Sequence, residues 1–251
     1  MLAVTITTHK RPEQCLYTLE QLPPGCDVSV FHDKCDSDYS KVQQYCKEHG
    51  YFYYQTPVHY GKWGYWQIHN LMYEHLDGKD FDYYLQLPDD ALMVPDIGIR
   101  GIQLLADELS CVNVISTKIG VQKLTKIRKI VTLPSGIKLI AAGWLDCCIF
   151  TTKAVMQGFR IEANWRSIQQ NPLKSSGVGH SQAKAYLEKT GKTAMMAYHA
   201  LVADYTEFVK GDTVMHTPGY TRKFHTGKVF NFNPQDRIAI KKRFNEFQSR
   251  S

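Results

Sequence analysis

The chain has 251 residues, 43% of them apolar and 22% charged, a composition that suits a globular protein of one large α/β domain or two small ones. Against 30 Lys+Arg stand 24 Asp+Glu, leaving a formal charge of +6 that favours phosphate-bearing partners without requiring one. Disorder, a collagen-like repeat and a coiled coil are excluded for the chain as a whole.

The first predicted element is a buried strand, Leu2 to Thr7, followed by the polar turn Thr8-His9-Lys10-Arg11 and by Pro12, which suits the first turn of a helix. That helix is expected to run to about Leu22 and to stop at Pro23-Pro24-Gly25. Val28 to His32 reads as a second strand, Asp38 to His49 as a helix and Tyr51 to Gln55 as a third strand, so the opening alternates β-α-β-α-β and predicts a parallel sheet with right-handed crossovers. A longer helix is expected from Tyr65 to His75, then a fourth strand, Tyr83 to Leu87, leading into Pro88-Asp89-Asp90. Ile102 to Leu109 has helical spacing and Val112 to Ser116 the pattern of a strand. Lys118 to Phe150 reads as antiparallel ribbon turning at Pro134-Ser135-Gly136. Helical patterns return at Thr152 to Gln157 and Gln182 to Glu188, and the region after Pro234 carries Lys241-Lys242-Arg243 on an amphipathic helix.

The longest apolar stretch, Leu139 to Phe150, is too short to span a bilayer and is interrupted by Asp146. The first residues lack the basic leader and cleavage site of a signal peptide. The seven cysteines include no C-x-x-C pair and read as free thiols of a reducing compartment, so a cytoplasmic protein is expected.

The sharpest chemical signal is the pair Asp89-Asp90, which an apolar strand delivers to the carboxyl edge of a parallel sheet, where open α/β folds bind ligands. Either or both carboxylates suit Mg2+ or Mn2+, hard cations that bridge protein to a diphosphate, although Pro-Asp-Asp is also good turn chemistry. Asp33, just past strand two, can accept hydrogen bonds from a base or ribose, and Thr7, Thr8 and Arg11 lie at the neighbouring edge with hydroxyl, backbone and guanidinium donors. Neither turn carries the glycine pattern of a dinucleotide site or of a P-loop, which counts against an oxidoreductase and a P-loop kinase. Asp146 interrupts an apolar run and must be paired, metal-bound or functional, or else cap a turn; Trp144 beside it can stack on a sugar or a base or belong to the core.

The opening Val4-Thr5-Ile6-Thr7-Thr8-His9-Lys10-Arg11-Pro12, Asp33, the Asp89-Asp90 pair and Gly143-Trp144-Leu145-Asp146 together resemble the nucleotide-sugar-dependent glycosyltransferases of the GT-A fold, in order and spacing over roughly the first 150 residues. The resemblance implies a single GT-A-like α/β domain over residues 1–251, with a mostly parallel central sheet flanked by helices, an antiparallel ribbon and a helical C-terminal region. Residues 1–110 then form the nucleotide-sugar half and 111–251 the acceptor half. It implies further that Asp33 reads the nucleobase of a donor such as a UDP-sugar, that Lys62 in Gly61-Lys62-Trp63-Gly64 meets a phosphate, and that Asp89 and Asp90 hold Mn2+ or Mg2+ with an imidazole from His216 as a further ligand. Asp146 is then the base that deprotonates the acceptor hydroxyl, or it holds the sugar. The chain departs from the family in having adjacent acids instead of a spaced D-x-D.

For the acceptor, basic clusters at Lys118 to Lys129, which include Lys126 and Arg128, and at Arg237 to Arg243 could follow a phosphate backbone, with Trp144 against an extruded base. This suits the type of glycosyltransferase with which bacterial viruses modify hydroxymethylated pyrimidines in DNA. A polysaccharide or lipid-linked acceptor suits the same fold, and a non-enzymatic nucleic-acid-binding module is the third reading, disfavoured because acids at three strand ends do not help to grip phosphate.

Overall fold

In a computed structural model of the chain, the apolar strands of the opening form one side of a sheet that has nine strands among the described residues. The structure describes residues 1–89, 91–93, 98–108, 111–113, 130–141, 148–156, 183, 186–188, 190–197 and 202–204. The elements in chain order are β1 (Leu2–Thr8), α1 (Pro12–Glu20), β2 (Asp27–His32), α2 (Ser40–Glu48), β3 (Phe52–Gln55), α3 (Gly61–Asp77), β4 (Tyr83–Pro88), β5 (Ala91–Met93), α4 (Gly98–Glu108), β6 (Cys111–Asn113), β7 (Ile130–Thr132), β8 (Lys138–Ala141), β9 (Ile149–Thr152), a single helical turn Lys153–Met156, β10 (Met195–Ala197) and β11 (Val202–Asp204).

The sheet order is β3-β2-β1-β4-β9-β6-β10-β8-β7, with β5 and β11 paired antiparallel in a separate two-stranded sheet. β3, β2, β1 and β4 are mutually parallel, in register Ala3↔Asp27 and Leu2↔Tyr83. Following the pairings outward, only β9 and β8 run against the other strands. The expected mostly parallel α/β sheet is therefore present. One feature differs from the expected ribbon: β9 leaves it to insert between β4 and β6, because Ile149 and Phe150 are fully apolar and fill a central position.

Alternation along the buried strands sorts the core onto two faces. Val4, Ile6, Val28, Val30, Leu85 and Leu87 pack with Cys15 and Leu19 of α1, Val42 and Cys46 of α2 and Ile102 and Leu105 of α4. On the other face Ala3, Phe31, Tyr84 and Ile149 meet Ile68, Met72, Tyr73 and Leu76 of α3. The threonines of β1 on that face are satisfied by tyrosines, Thr5 by Tyr84 at 2.7 Å and Thr7 by Tyr65 at 2.8 Å. The β7–β8 hairpin turns at Pro134-Ser135-Gly136 as expected, with Gly136 at φ 86, and the Glu108 carboxylate at the end of α4 accepts both the amide and the hydroxyl of Ser135 at 2.7 Å. Five described cysteines, Cys15, Cys26, Cys35, Cys46 and Cys148, are free thiols. Among the described residues no helix is long and apolar enough to cross a membrane.

Helix α3 starts at Gly61, four residues before the expected Tyr65. Gly61 and Gly64 are poor helix formers and hide this turn from a propensity reading. What sustains it comes from far along the chain: the Asp33 carboxylate accepts the amide N–H groups of Tyr60 at 2.8 Å and Gly61 at 2.9 Å, satisfying donors that a helix start leaves open.

Candidate functional site

The order of the parallel strands creates a switch point between β1 and β4. The connection from β1 leads through α1 to β2 on one side, while β4 arrives on the other side after α3. At such a point the loops diverge and leave a crevice beyond the carboxyl ends of the strands. Thr7 and Thr8 end β1, Asp33 directly follows His32 at the end of β2, and Asp89 directly follows Pro88 at the end of β4, so five of the residues singled out in the sequence, Thr7, Thr8, Arg11, Asp33 and Asp89, meet at this edge.

Asp89 is buried and fully engaged. Its Oδ1 accepts the Arg11 guanidinium at 2.9 Å, and its Oδ2 accepts the Thr8 hydroxyl at 3.0 Å and the His9 amide at 3.2 Å. Behind it Tyr39, which the sequence reading missed, links the network: its hydroxyl accepts the Arg11 amide at 3.1 Å and donates to Thr8 Oγ1 at 2.7 Å. Burial, then the charge of Asp89, pushes the Tyr39 phenol up, so it stays protonated and able to donate. The Thr18 hydroxyl of α1 sits between the carbonyls of Asp89 and Ala91, at 2.9 and 3.1 Å, and so ties down the backbone on both sides of position 90. β11 lies beyond, with Asp204 in register opposite Ala91; this acid too was missed, since nothing in the sequence pairs residues so far apart.

The turn that feeds this network is strained. Lys10 holds φ 58 and is the one non-glycine residue at positive φ among the described residues, a conformation that costs an L-residue about 1 kcal/mol. It brings the His9 amide to Asp89 and the His9 ring to the backbone of Asp33, where Nδ1 donates to the carbonyl oxygen at 3.0 Å.

Around Asp33 a second cluster forms. Besides capping α3, its Oδ2 lies 2.9 Å from Nδ1 of His59 and 4.0 Å from Nδ1 of His9, and the two imidazole rings stack at 4.5 Å. Burial lowers the His9 pKa and keeps that ring neutral. Gly61 stands beside His59 at φ 60, and a Cβ there would come within 3.1 Å of His59 Nε2, so the glycine makes room for the ring. His32 backs the edge, stacked on Tyr39 at 3.7 Å with Nδ1 2.7 Å from the Tyr53 hydroxyl, and burial brings its pKa down to about 4.

His9, Asp33 and His59 each offer a ligand atom, all within 4.8 Å of one another, so this cluster could hold a metal ion. His9 was visible in the opening motif; His59 had no signal, standing in the β3–α3 connection. Of the other residues singled out, Lys62 falls in the first turn of α3, and Asp90, Lys126, Arg128, Trp144, Asp146 and His216 lie outside the described residues.

No family model matches the sequence, and no curated protein matches it. Solved structures do match the fold. The mannosyltransferase PcManGT from Pyrobaculum calidifontis, in complex with GDP-Man and Mn2+, aligns with a TM-score of 0.53 at 12% identity over 96% of this chain and 73% of that one. The 1–349 fragment of S. aureus TarS in complex with UDP aligns at 0.51 and 14% identity over 80% of this chain and 59% of that one. Another structure of S. aureus TarS 1–349 gives 0.49 at 16% identity, and the chain spans 61% of its length. At these identities the likeness is one of fold, and it identifies the architecture as GT-A-like.

Proposed function

We propose that the chain is a glycosyltransferase that moves a sugar from a nucleotide-sugar donor to an acceptor hydroxyl. The observation that carries this reading is the β1/β4 switch point, where Thr7, Thr8, Arg11, Asp33 and Asp89 converge on a GT-A-like frame. Solved structures of that frame hold UDP in one case and GDP-Man with Mn2+ in another. In this reading residues 1–110 bind the donor, a UDP-sugar, and 111–251 the acceptor. Asp33 contacts the base or ribose, Thr7, Thr8 and Arg11 line the nucleotide side and Lys62 meets a phosphate.

A divalent ion of the Mn2+ or Mg2+ kind, when bound, supplies charge to the departing diphosphate. The acids at this edge suit it, since hard cations take carboxylate oxygens. Both oxygens of Asp89 already serve Arg11, Thr8 and the His9 amide, so we assign Asp89 to holding the edge in shape and to the outer side of the ion. Asp90 is then the direct ligand, between carbonyls that Thr18 ties down, with His216 as the imidazole. Asp146 takes the proton from the acceptor hydroxyl, and Trp144 stacks on the acceptor.

The acceptor in this reading is a hydroxymethylated pyrimidine in DNA, held on the basic cluster Lys118 to Lys129, with Lys126 and Arg128, and on Arg237 to Arg243. The test is nucleotide release from a panel of UDP- and GDP-sugars with and without Mn2+, followed by mass spectrometry of hydroxymethylated duplex DNA, a polysaccharide and a lipid-linked acceptor. Mn2+-dependent release, abolished in Asp90→Asn at an unchanged melting temperature, is the expected result. Failure of every donor to bind in calorimetry overturns the enzyme, and transfer to a saccharide or lipid acceptor alone overturns the DNA reading.

A further inference from the structure

Three connections of the sheet converge on one carboxylate. His9 comes from the turn after β1, Asp33 from the end of β2 and His59 from the segment before α3, and the two imidazoles face Asp33 Oδ2 at 4.0 and 2.9 Å. A tetrahedral ion with bonds of about 2.0–2.1 Å to nitrogen and oxygen holds its ligand atoms about 3.3 Å apart. The two distances to Asp33 lie on either side of that value, by about 0.7 and 0.4 Å, and the three ligand atoms all lie within 4.8 Å of one another, so side-chain rotation is what brings them to bonding distance.

We propose that His9, Asp33 and His59 form a binding site for a borderline divalent transition-metal ion of the Zn2+ and Co2+ class, separate from the ion assigned to the donor diphosphate. Two imidazoles and one carboxylate select such an ion over Mg2+ or Ca2+, which prefer all-oxygen surroundings. The carboxylate is already oriented, because the Tyr60 and Gly61 amides donate to its two oxygens as outer-shell groups do around metal centres. The imidazole rings stack at 4.5 Å with planes 16° apart, so binding requires the His59 ring to turn out of the stack until both in-plane lone pairs meet one ion, a turn for which Gly61 leaves space, and the proton that His9 Nδ1 donates to the Asp33 carbonyl to move to Nε2. The His59 side chain is 51% exposed while that of Asp33 is 7% exposed, which gives an ion a way in from solvent and leaves its fourth position to water. Because Asp33 is also the residue we assign to the nucleobase, a bound ion takes that carboxylate away from the donor.

The test is a Co2+ titration of the full metal-free chain, followed by visible absorption. Expected are ligand-field bands that saturate at one ion per chain and disappear when Zn2+ is added. His9→Ala and His59→Ala should each weaken binding by more than the roughly 10–100-fold that loss of an outer-shell partner costs. His59→Gln, which keeps the size and hydrogen bonding of the side chain, should show the same loss if the imidazole is a ligand. His49→Ala, on the exposed end of α2, should bind like the wild type. Absence of the bands, or equal affinity in the His59→Gln chain, overturns the site. No nucleotide enters the titration, so its outcome is independent of sugar transfer.

Discussion

Strands β1, β2 and β4 and the far edge of the same sheet are built in opposite ways. In the parallel half, β1, β2 and β4 are buried along nearly their whole length, and each strand end carries a side chain into one hydrogen-bonded edge. Beyond β9, β6 and β10 are three residues each and β7, last in the sheet order, is exposed at all three residues. The difference teaches a division of labour: covered strands fix the positions of polar groups, because a buried carboxylate such as Asp89 is tolerable only where its partners are rigidly placed. The later strands extend the sheet, while β11 pairs with β5, just beyond Asp89, in the separate two-stranded sheet.

The largest effect that can test this contrast is removal of Asp89. Asp89→Ala leaves the Arg11 guanidinium, whose side chain is only 19% exposed, without its carboxylate and takes acceptors from Thr8 and His9. Breaking a buried pair from one side typically costs about 3–5 kcal/mol, and urea unfolding should show a loss of that size. A loss below about 1 kcal/mol would mean that the edge is not the rigid part of the molecule.

Acid should loosen the same half. Burial lowers the His32 pKa to about 4 and that of His69, inside α3, to about 3. Above the ordinary value of 6.5 both states are neutral and the folded chain keeps its full stability. As the pH falls below 6.5 the unfolded chain takes up protons that the folded one refuses, so stability drops by about 1.4 kcal/mol per pH unit for each histidine until the folded values are reached. Denaturant midpoints between pH 7 and pH 5 measure the slope, and His69→Gln should make it shallower.

Asp33→Asn comes next. It keeps an acceptor for one amide at the start of α3 but removes the charge from the helix N-terminus, an effect of about 1 kcal/mol. Hydrogen exchange should quicken at Tyr60 and Gly61 while the β1–β4 ladder stays protected. Equal loosening of both would show that Asp33 supports the sheet and not the helix start.

Much of this was legible in the sequence because the parallel half obeys local rules. Apolar runs of strand length, Pro12 at a helix start and the stop at Pro23-Pro24-Gly25 each carry their meaning within a few residues, and the strand ends that bear Thr8, Asp33 and Asp89 followed from them. What stayed hidden depends on contacts across the chain. Tyr39 joins the site through a hydroxyl 31 residues from Thr8, the first turn of α3 is held by a carboxylate 27 residues before Tyr60, and His59 becomes a metal-ligand candidate only because the β3–α3 connection folds back on Asp33. The antiparallel placement of β9 was equally non-local, since an apolar run of that length reads the same in a ribbon as between two parallel strands.

The smallest effect belongs to the far edge. Ile130 and Val131 of β7 are 41% and 36% exposed, and among the described residues β7 pairs only with β8, so neither side chain is buried as Val30 of β2 is. A charge placed at Ile130 keeps its hydration, and the backbone pairing to Ile140 does not depend on the side chain. Ile130→Lys should therefore change the unfolding free energy by no more than about 0.5 kcal/mol, whereas Val30→Lys, which buries an ammonium between sheet and helices, should prevent folding. The same lysine should lower self-association at high protein concentration, because a charge on an unpaired strand edge opposes the addition of a further strand. Light scattering and urea unfolding of the two variants read both effects. Destabilisation of Ile130→Lys by more than about 2 kcal/mol would place a packed partner on that face, and the division between a fixed parallel half and a permissive far edge would fail.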